Sequence, residues 1–267
     1  MKHFNRTVTV LVFIFLYIPM IVLGIASFNA GTDIATFKGF TLSQYANLFR
    51  DSALLRLLLN SLIIAVLSTL AATVFGTMAA VGIHGMNGKL RSAVMTLTNI
   101  PMTNPDIVTG VALALLFAFT GAMLRINSIL GFWTLLIAHI TFNLPYVILN
   151  VMPKLKQMDK DLVEAALDLG CTPAQAFTKV VIHEIMPGIV SGALMAFTMS
   201  LDDFVIGSSF ITLPVEIYNY TKKPIQPKIY ALFTLMFLAI LLLMVMMNLL
   251  QARSERHPKT AQRRAGR

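Results

Sequence analysis

Six long apolar runs separated by short polar stretches organise this chain. They lie at about 8–28, 57–83, 93–119, 128–150, 188–213 and 230–250. Each meets the roughly 20 residues that a helix needs to cross a hydrocarbon core. The pattern therefore predicts an all-α integral membrane protein with six spans in a single transmembrane domain over 1–267. The third run is interrupted by Pro101 and Pro105, where Asn104-Pro105-Asp106 reads as a helix restart with Asn as cap and Pro in the first turn. Pro19 and Pro145 predict kinks in the first and fourth runs, which neighbouring helices can tolerate. Gly188, Gly192 and Ala196 form a small-xxx-small ridge that lets the fifth run approach another helix closely.

Composition agrees with the pattern. Of 267 residues, 57% are hydrophobic and 12% charged, with a mean hydropathy of +0.76; a soluble domain carries about 25% charged residues. The first run resembles a signal peptide in its flank, "IASFNA". Its apolar core of about 21 residues exceeds the roughly 7–15 of such a peptide, so it reads as a retained anchor.

The net charge of +9 does not point to nucleic acid. With six spans and a cytoplasmic N-terminus, the inside segments are 1–7, 84–92, 151–187 and 251–267. They hold two, two, four and six Lys/Arg, 14 of the 21 in the chain. Such an excess on cytoplasmic segments orients membrane proteins, which places both termini in the cytoplasm and makes the basic tail 251–267 an anchor. The single cysteine, Cys171, excludes an intrachain disulfide and a zinc-type cluster.

The 151–187 segment is the longest polar interruption before the tail. Asp161 with Glu164 has the spacing of a helix cap and its returning acid. A short helix over Leu162–Leu169 then meets Gly170, where a left-handed residue is wanted. Thr172, Pro173 and Gln175 restart a second helix. The chemistry predicts two short helices joined at an elbow.

Two adjacent acids interrupt the fifth run, in "TMSLDDFVIG". Asp203 lies 15 residues beyond Gly188, about 22 Å along a helix rising 1.5 Å per residue, past the midplane of a core about 30 Å thick. Asp106 lies 15 residues beyond Arg91 and is placed at similar depth. An acid at the bilayer centre costs about 2.5–3.5 kcal/mol and marks a bundle interior or a wet cavity. Adjacent helical residues stand about 100° apart, so Asp202 and Asp203 cannot both aim at one axis. Tyr17 stands near Pro19. His139 reads as a hydrogen-bonded packing residue, and the 16 methionines as adaptable packing.

The string "EAALDLGCTPAQAFTKVVIHEIMPGI" resembles the EAA loop of permease subunits of binding-protein-dependent ABC importers. Glu164, Ala165, Ala166 and Gly170 carry the match, Val180 fills its aliphatic position, and Ile182-His183 stand where Leu-Pro is usual. "NPDIVTGVALALLFAF", "LPYVILNVMPKLKQMDKDLVEAALDLG" and "MSLDDFVIGSSFI" resemble the spermidine/putrescine type, in particular the second of its two permease subunits. The stretch between "LDDFVIGSSF" and Leu213-Pro214 is shorter than is usual in that family.

The resemblance implies the type I ABC importer permease fold, with Glu164, Ala165, Ala166 and Gly170 in a coupling helix that docks on ATP-binding cassette ATPase subunits. It implicates Asp106, Ser200, Asp202 and Asp203, with Tyr17 nearby, in polyamine passage. It also implies a second homologous permease, an extracytoplasmic polyamine-binding protein and a bacterial inner membrane setting among lipid. No phosphate loop is present: Leu90 follows Gly88-Lys89 where Ser or Thr is required. Catalytic residues, metal ligands and a resident cofactor are therefore not expected, and ATP with Mg belongs to the partner ATPase. The alternative solute reading is a related permease for thiamine or an iron chelate; an iron chelate would leave the three acids without a cationic solute. An intramembrane aspartyl protease lacks its Gly-x-Gly-Asp string, and a secondary transporter would need paired broken helices.

Overall fold

The computed structural model describes residues 2–31, 36–103, 106–126, 129–159, 161–202, 211–216, 226–242 and 244–246. Among these the chain is helical, with one isolated bridge between Asn29 and Phe40. The helices are α1 (Lys2–Ser27), α2 (Ser43–Arg50), α3 (Ser52–His84), α4 (Gly88–Thr103), α5 (Asp106–Leu124), α6 (Phe132–Gln157), α7 (Asp161–Asp168), α8 (Pro173–Ala176), α9 (Ile182–Asp202) and α10 (Pro227–Met246). Five helical stretches are long and apolar enough to cross a membrane, and α4 with α5 makes a sixth if that pair is one span.

That pair is the interrupted third span read in the sequence, and the bend at the interruption is sharp. Gly88–Thr103 and Val108–Leu124 meet at 102°, so a straight-helix count from Arg91 does not give the depth of Asp106. The physical reason is the Pro-rich junction, because proline removes a backbone donor and clashes with the preceding turn. In contrast, α1 and α6 run uninterrupted through Pro19 and Pro145. The fifth span is longer than expected: its helical stretch runs Pro173–Leu201 and includes a π-helical turn at Phe177–Val181.

The chain divides into two compact units. One comprises residues 1–56 with 220–267, the other 57–219. In the first, Asn29 gathers the loop after α1. Its Oδ1 accepts from the amides of Gly31 (3.0 Å) and Lys38 (2.9 Å), and its Nδ2 donates to Thr36 O at 2.8 Å. Phe28 stacks on Phe40, with ring centroids 5.2 Å apart. Asp51 caps α3 through the amides of Ala53 (3.0 Å) and Leu54 (3.2 Å) and pairs with Lys228 of α10 at 2.7 Å.

The second unit is built on α6 and α9. The predicted ridge packs here. A Cβ on Gly188 would stand 2.8 Å from Asn150 O, and one on Gly192 would stand 3.0 Å from Val147 Cα; Ala196 is fully buried. Val147 also faces α3, where a Cβ on Gly76 would come within 2.7 Å of its Cβ. Small residues thus let three helices close on one valine, and Ala72, Ala80, Val151, Met152 and Ile185 fill the core around it. Arg91 closes the turn between α3 and α4, its guanidinium donating to the carbonyls of His84 and Met86.

Candidate functional site

The polar elbow forms as its sequence dictates, with one shift. The helix starts at Asp161 itself, and the side chain that accepts from its first turn is Asp159 Oδ1, 3.1 Å from Asp161 N. Asp161 is therefore not the cap. Asp161 and Glu164 instead lie in the first turn, where carboxylates face the positive end of the helix dipole. At the other end Gly170 has φ +86°. Cys171 N donates to Ala166 O (3.0 Å) and Gly170 N to Leu167 O (2.9 Å), the paired bonds of a Schellman ending. Space is not what selects glycine, since a Cβ there would meet nothing within 4 Å; the left-handed backbone is.

Thr172 then opens α8. Its Oγ1 accepts from Gln175 N at 3.3 Å, and Gln175 Oε1 accepts from Thr172 N at 3.0 Å. Ala166 is buried, and Val163 packs on the α3–α6–α9 core. Glu164, Ala165 and Gly170 are exposed, beside exposed Leu162, Leu167 and Leu169. The elbow holds a charged and apolar face outward on a fixed base.

Ser200 sits in a different setting. It is 3% exposed, and its Oγ lies 3.0 Å from Ser68 Oγ of α3. Asn143 Nδ2 of α6 donates to the same Ser68 oxygen at 3.3 Å, and Ser68 donates to Ala65 O at 3.2 Å. Ser68 and Asn143 are fully buried, and Asn143 Oδ1 is left without a partner. Ser191 Oγ bonds α9 directly to α6, donating to Asn150 Oδ1 at 3.1 Å. Such interhelical bonds average about 0.6 kcal/mol in a membrane. They fix register more than they add stability.

Asp106 opens α5 and Asp202 closes α9, while Asp203 lies outside the described residues, as do Asn104, Pro105 and the basic tail. Beyond the acids, the chain is pinned where it returns: Ser61 Oγ accepts from Leu213 N at 2.8 Å and Asn60 Nδ2 donates to Ile211 O at 3.2 Å. Tyr17 is 46% exposed and stacks on Phe13, with centroids 6.4 Å apart. His139 is buried and its Nδ1–H donates to Leu135 O at 2.9 Å, the packing role expected of it.

The sequence reading missed Ser68, Asn143, Asn60 and Ser61. A signal existed for Asn143, an amide within the apolar string "HITFNLPYV", because such a group needs a partner when buried. Ser68 gave none, since a serine in a membrane helix can bond its own backbone.

Helices of membrane length that carry a capped polar elbow define a multi-span membrane protein rather than a soluble enzyme. The chain belongs to the family described as binding-protein-dependent transport system inner membrane component, which it matches over residues 72–259. It is 36% identical over 244 residues to the spermidine/putrescine transport system permease protein PotC of Haemophilus influenzae, covering 90% of this chain and 93% of that one. It is 35% identical to the PotC protein of Escherichia coli (91% and 92% covered) and to the putrescine transport system permease protein PotI of the same species (91% and 89%). The fold is similar to that of a chain of a bacterial ABC transporter involved in import of the acidic polysaccharide alginate, with TM-score 0.71, 15% identity, and 94% and 95% coverage. A chain of an alginate ABC transporter in complex with a pentasaccharide-bound periplasmic protein gives TM-score 0.65 at 16% identity, with 91% and 92% covered. The chain is accordingly a transport component of the inner membrane, and the type I ABC permease fold anticipated from the sequence is the fold it has.

Proposed function

We propose that this chain is the permease subunit of an ATP-driven spermidine/putrescine importer and forms half of its translocation pathway. The carrying observation is identity of 35–36% over about nine-tenths of the chain to permease proteins named for those solutes. The alginate importers are instructive here. They resemble this chain in fold while the cargo in their names is acidic, so side chains and not the fold must select the charge of the solute.

Asp106, Asp202 and Asp203 are the groups that suit a polycation. A carboxylate in a low-dielectric path offsets part of the hydration an ammonium group gives up. A series of acids along the route also suits a flexible polyamine better than one tight cage. Ser200 contributes at the same level of the pathway and Tyr17 adds an aromatic face. The elbow residues Glu164, Ala165, Ala166 and Gly170 form the coupling surface for a separate ATPase subunit, which holds ATP and Mg. A second permease completes the pathway, and an extracytoplasmic binding protein delivers the solute. Both termini are cytoplasmic, in keeping with the Lys/Arg distribution.

The test is uptake of labelled spermidine and putrescine by cells that carry the whole transport system. Asp202→Asn, Asp203→Asn and the double variant are compared with the parent at equal membrane abundance. Loss of uptake is expected; unchanged uptake in all three would reject the pathway assignment. Replacement of Glu164 is expected to weaken ATPase attachment, and normal transport with an altered Glu164 would count against the coupling role.

A further inference from the structure

Proton accounting around Ser68 gives the polar contact between α3, α6 and α9 a direction. The carbonyl of Ala65 can only accept, so the single Ser68 proton goes there at 3.2 Å. Asn143 Nδ2 donates into Ser68 at 3.3 Å. The 3.0 Å link to Ser200 then runs from the Ser200 hydroxyl to Ser68. One proton given and two accepted saturate Ser68, and the Ser200 hydroxyl is tied to a fixed point on α3.

The position of that tie matters. The face by which α9 meets α6 is otherwise smooth: Gly188, Gly192 and Ala196 present no side chain that would resist rotation or sliding. Ser191–Asn150 is the direct polar side-chain bond between these two helices among the described residues, and it lies nine residues before Ser200. Ser200 is therefore the last polar anchor before the chain reaches Asp202, whose Cα follows about 3 Å further along α9 and about 200° around it. A helix with its side chains is about 10–12 Å across, so rotation by 20° shifts a side-chain tip by about 2 Å. Asn143 is a poor choice for packing alone, because its buried Oδ1 goes unmet. Its amide is explained by the bond that orients Ser68.

We propose that Ser68 and Asn143 are positioning residues for solute passage: through Ser200 they fix the helical phase and depth at which the chain enters the acid pair Asp202-Asp203. The proposal rests on the reading that those acids serve the pathway. It makes the passage of a polycation depend on two uncharged residues that do not meet the solute.

The experiment is a double-mutant cycle on initial-rate spermidine uptake in cells expressing the whole transport system, with membrane abundance measured for every variant. Ser68→Ala and Ser68→Cys are each made alone and combined with whichever of Asp202→Asn and Asp203→Asn lowers uptake, or with the Glu variant where Asn leaves no measurable rate. Ser68→Ala is expected to reduce the ratio of rate to half-saturation constant about five- to tenfold, the scale of one misplaced hydrogen bond, with abundance unchanged. In the acid-variant background the same substitution is expected to add no further loss. A parental rate for Ser68→Ala, or losses that multiply in the double variant, would overturn the positioning role while leaving the acid pathway standing. Parental rates for both acid variants would reject the acid pathway itself, and this proposal with it. Should Ser68→Ala lower abundance, Ser68→Cys carries the same cycle with a side chain of similar size.

Discussion

The elbow at 159–176 and the polar contact at Ser68, Asn143 and Ser200 solve the same problem by opposite means. In the elbow, every cap and turn bond joins residues no more than five apart, from Asp159–Asp161 to Ala166–Cys171. In the helix contact, Asn143 reaches 75 residues back and Ser200 reaches 132. Helix ends leave donors and acceptors open, and a polar loop closes them with what the local sequence supplies. Inside an apolar bundle the backbone satisfies itself, so a polar side chain bonds either the preceding turn of its own helix, as His139 bonds Leu135 O, or a partner on another helix. Damage to the first should therefore stay local, and damage to the second should reach every helix it ties.

The strongest break of that contrast is steric. Gly188→Val would place carbon 2.8 Å from Asn150 O and 3.2 Å from Val151 Cα. Both neighbours are backbone and cannot swing aside, so α6 and α9 must part. Overpacking of a close-packed site costs about 1–3 kcal/mol, occasionally more, and here the Ser191–Asn150 and Ser68–Ser200 bonds would go with it. Purified Gly188→Val should show little assembled protein by size-exclusion chromatography. Gly82→Ala, where a Cβ meets nothing within 4 Å, should behave as the parent. A well-assembled Gly188→Val protein would show that the ridge is not the closing contact.

The elbow predicts a smaller and confined response. Gly170→Val forces a β-branched residue into φ +86°, at a cost of about 1–2 kcal/mol. Thr172→Ala removes the cap of α8 for about 1 kcal/mol. Hydrogen exchange should accelerate in 161–181 for both variants, more for Gly170→Val, while the melting temperature of the protein stays near that of the parent. A global fall in melting temperature of the size seen at Gly188 would erase the distinction between local and long-range construction.

The same distinction explains what could be read in advance. The spans follow from run length, the break after α4 from Pro101 and Pro105, and the elbow from Thr172, Gln175 and Gly170, all signals within a few residues. The ridge at Gly188, Gly192 and Ala196 was legible as a surface, though not its partner on α6. The Asp161 cap was misplaced by two residues because Asp159 offers the same chemistry at nearly the same place. Ser68 and Asn143 were invisible as a pair, since no local pattern records which serine on α3 an amide on α6 will meet. Of the candidate site, the acids announced themselves by their cost in an apolar run, and the groups that set their helix did not.

Asp51 joins both kinds of contact in one carboxylate, and separating them gives the smallest and sharpest prediction. Its Oδ1 caps α3 locally, and its Oδ2 receives Lys228 from 177 residues away. The hydrogen bond from Lys228 and the amide of Leu54 hold its carboxyl below the usual range, against a smaller opposing effect of burial. A carboxyl lowered in the folded state contributes stability that is complete above its unfolded value, about 3.9, and is lost as pH falls through the folded value. Asp51→Asn keeps a good cap and removes only the ion pair, whose groups are partly exposed to solvent, for about 0.2–1 kcal/mol. At pH 7 and low salt it should melt slightly below the parent. The gap should close as pH falls below about 4, and it should shrink in high salt at pH 7. Lys228→Met should match it at pH 7, because it removes the same pair and leaves the cap intact. If Asp51→Asn melts well below Lys228→Met at pH 7, the local cap, and not the long-range pair, is what the charge on Asp51 serves.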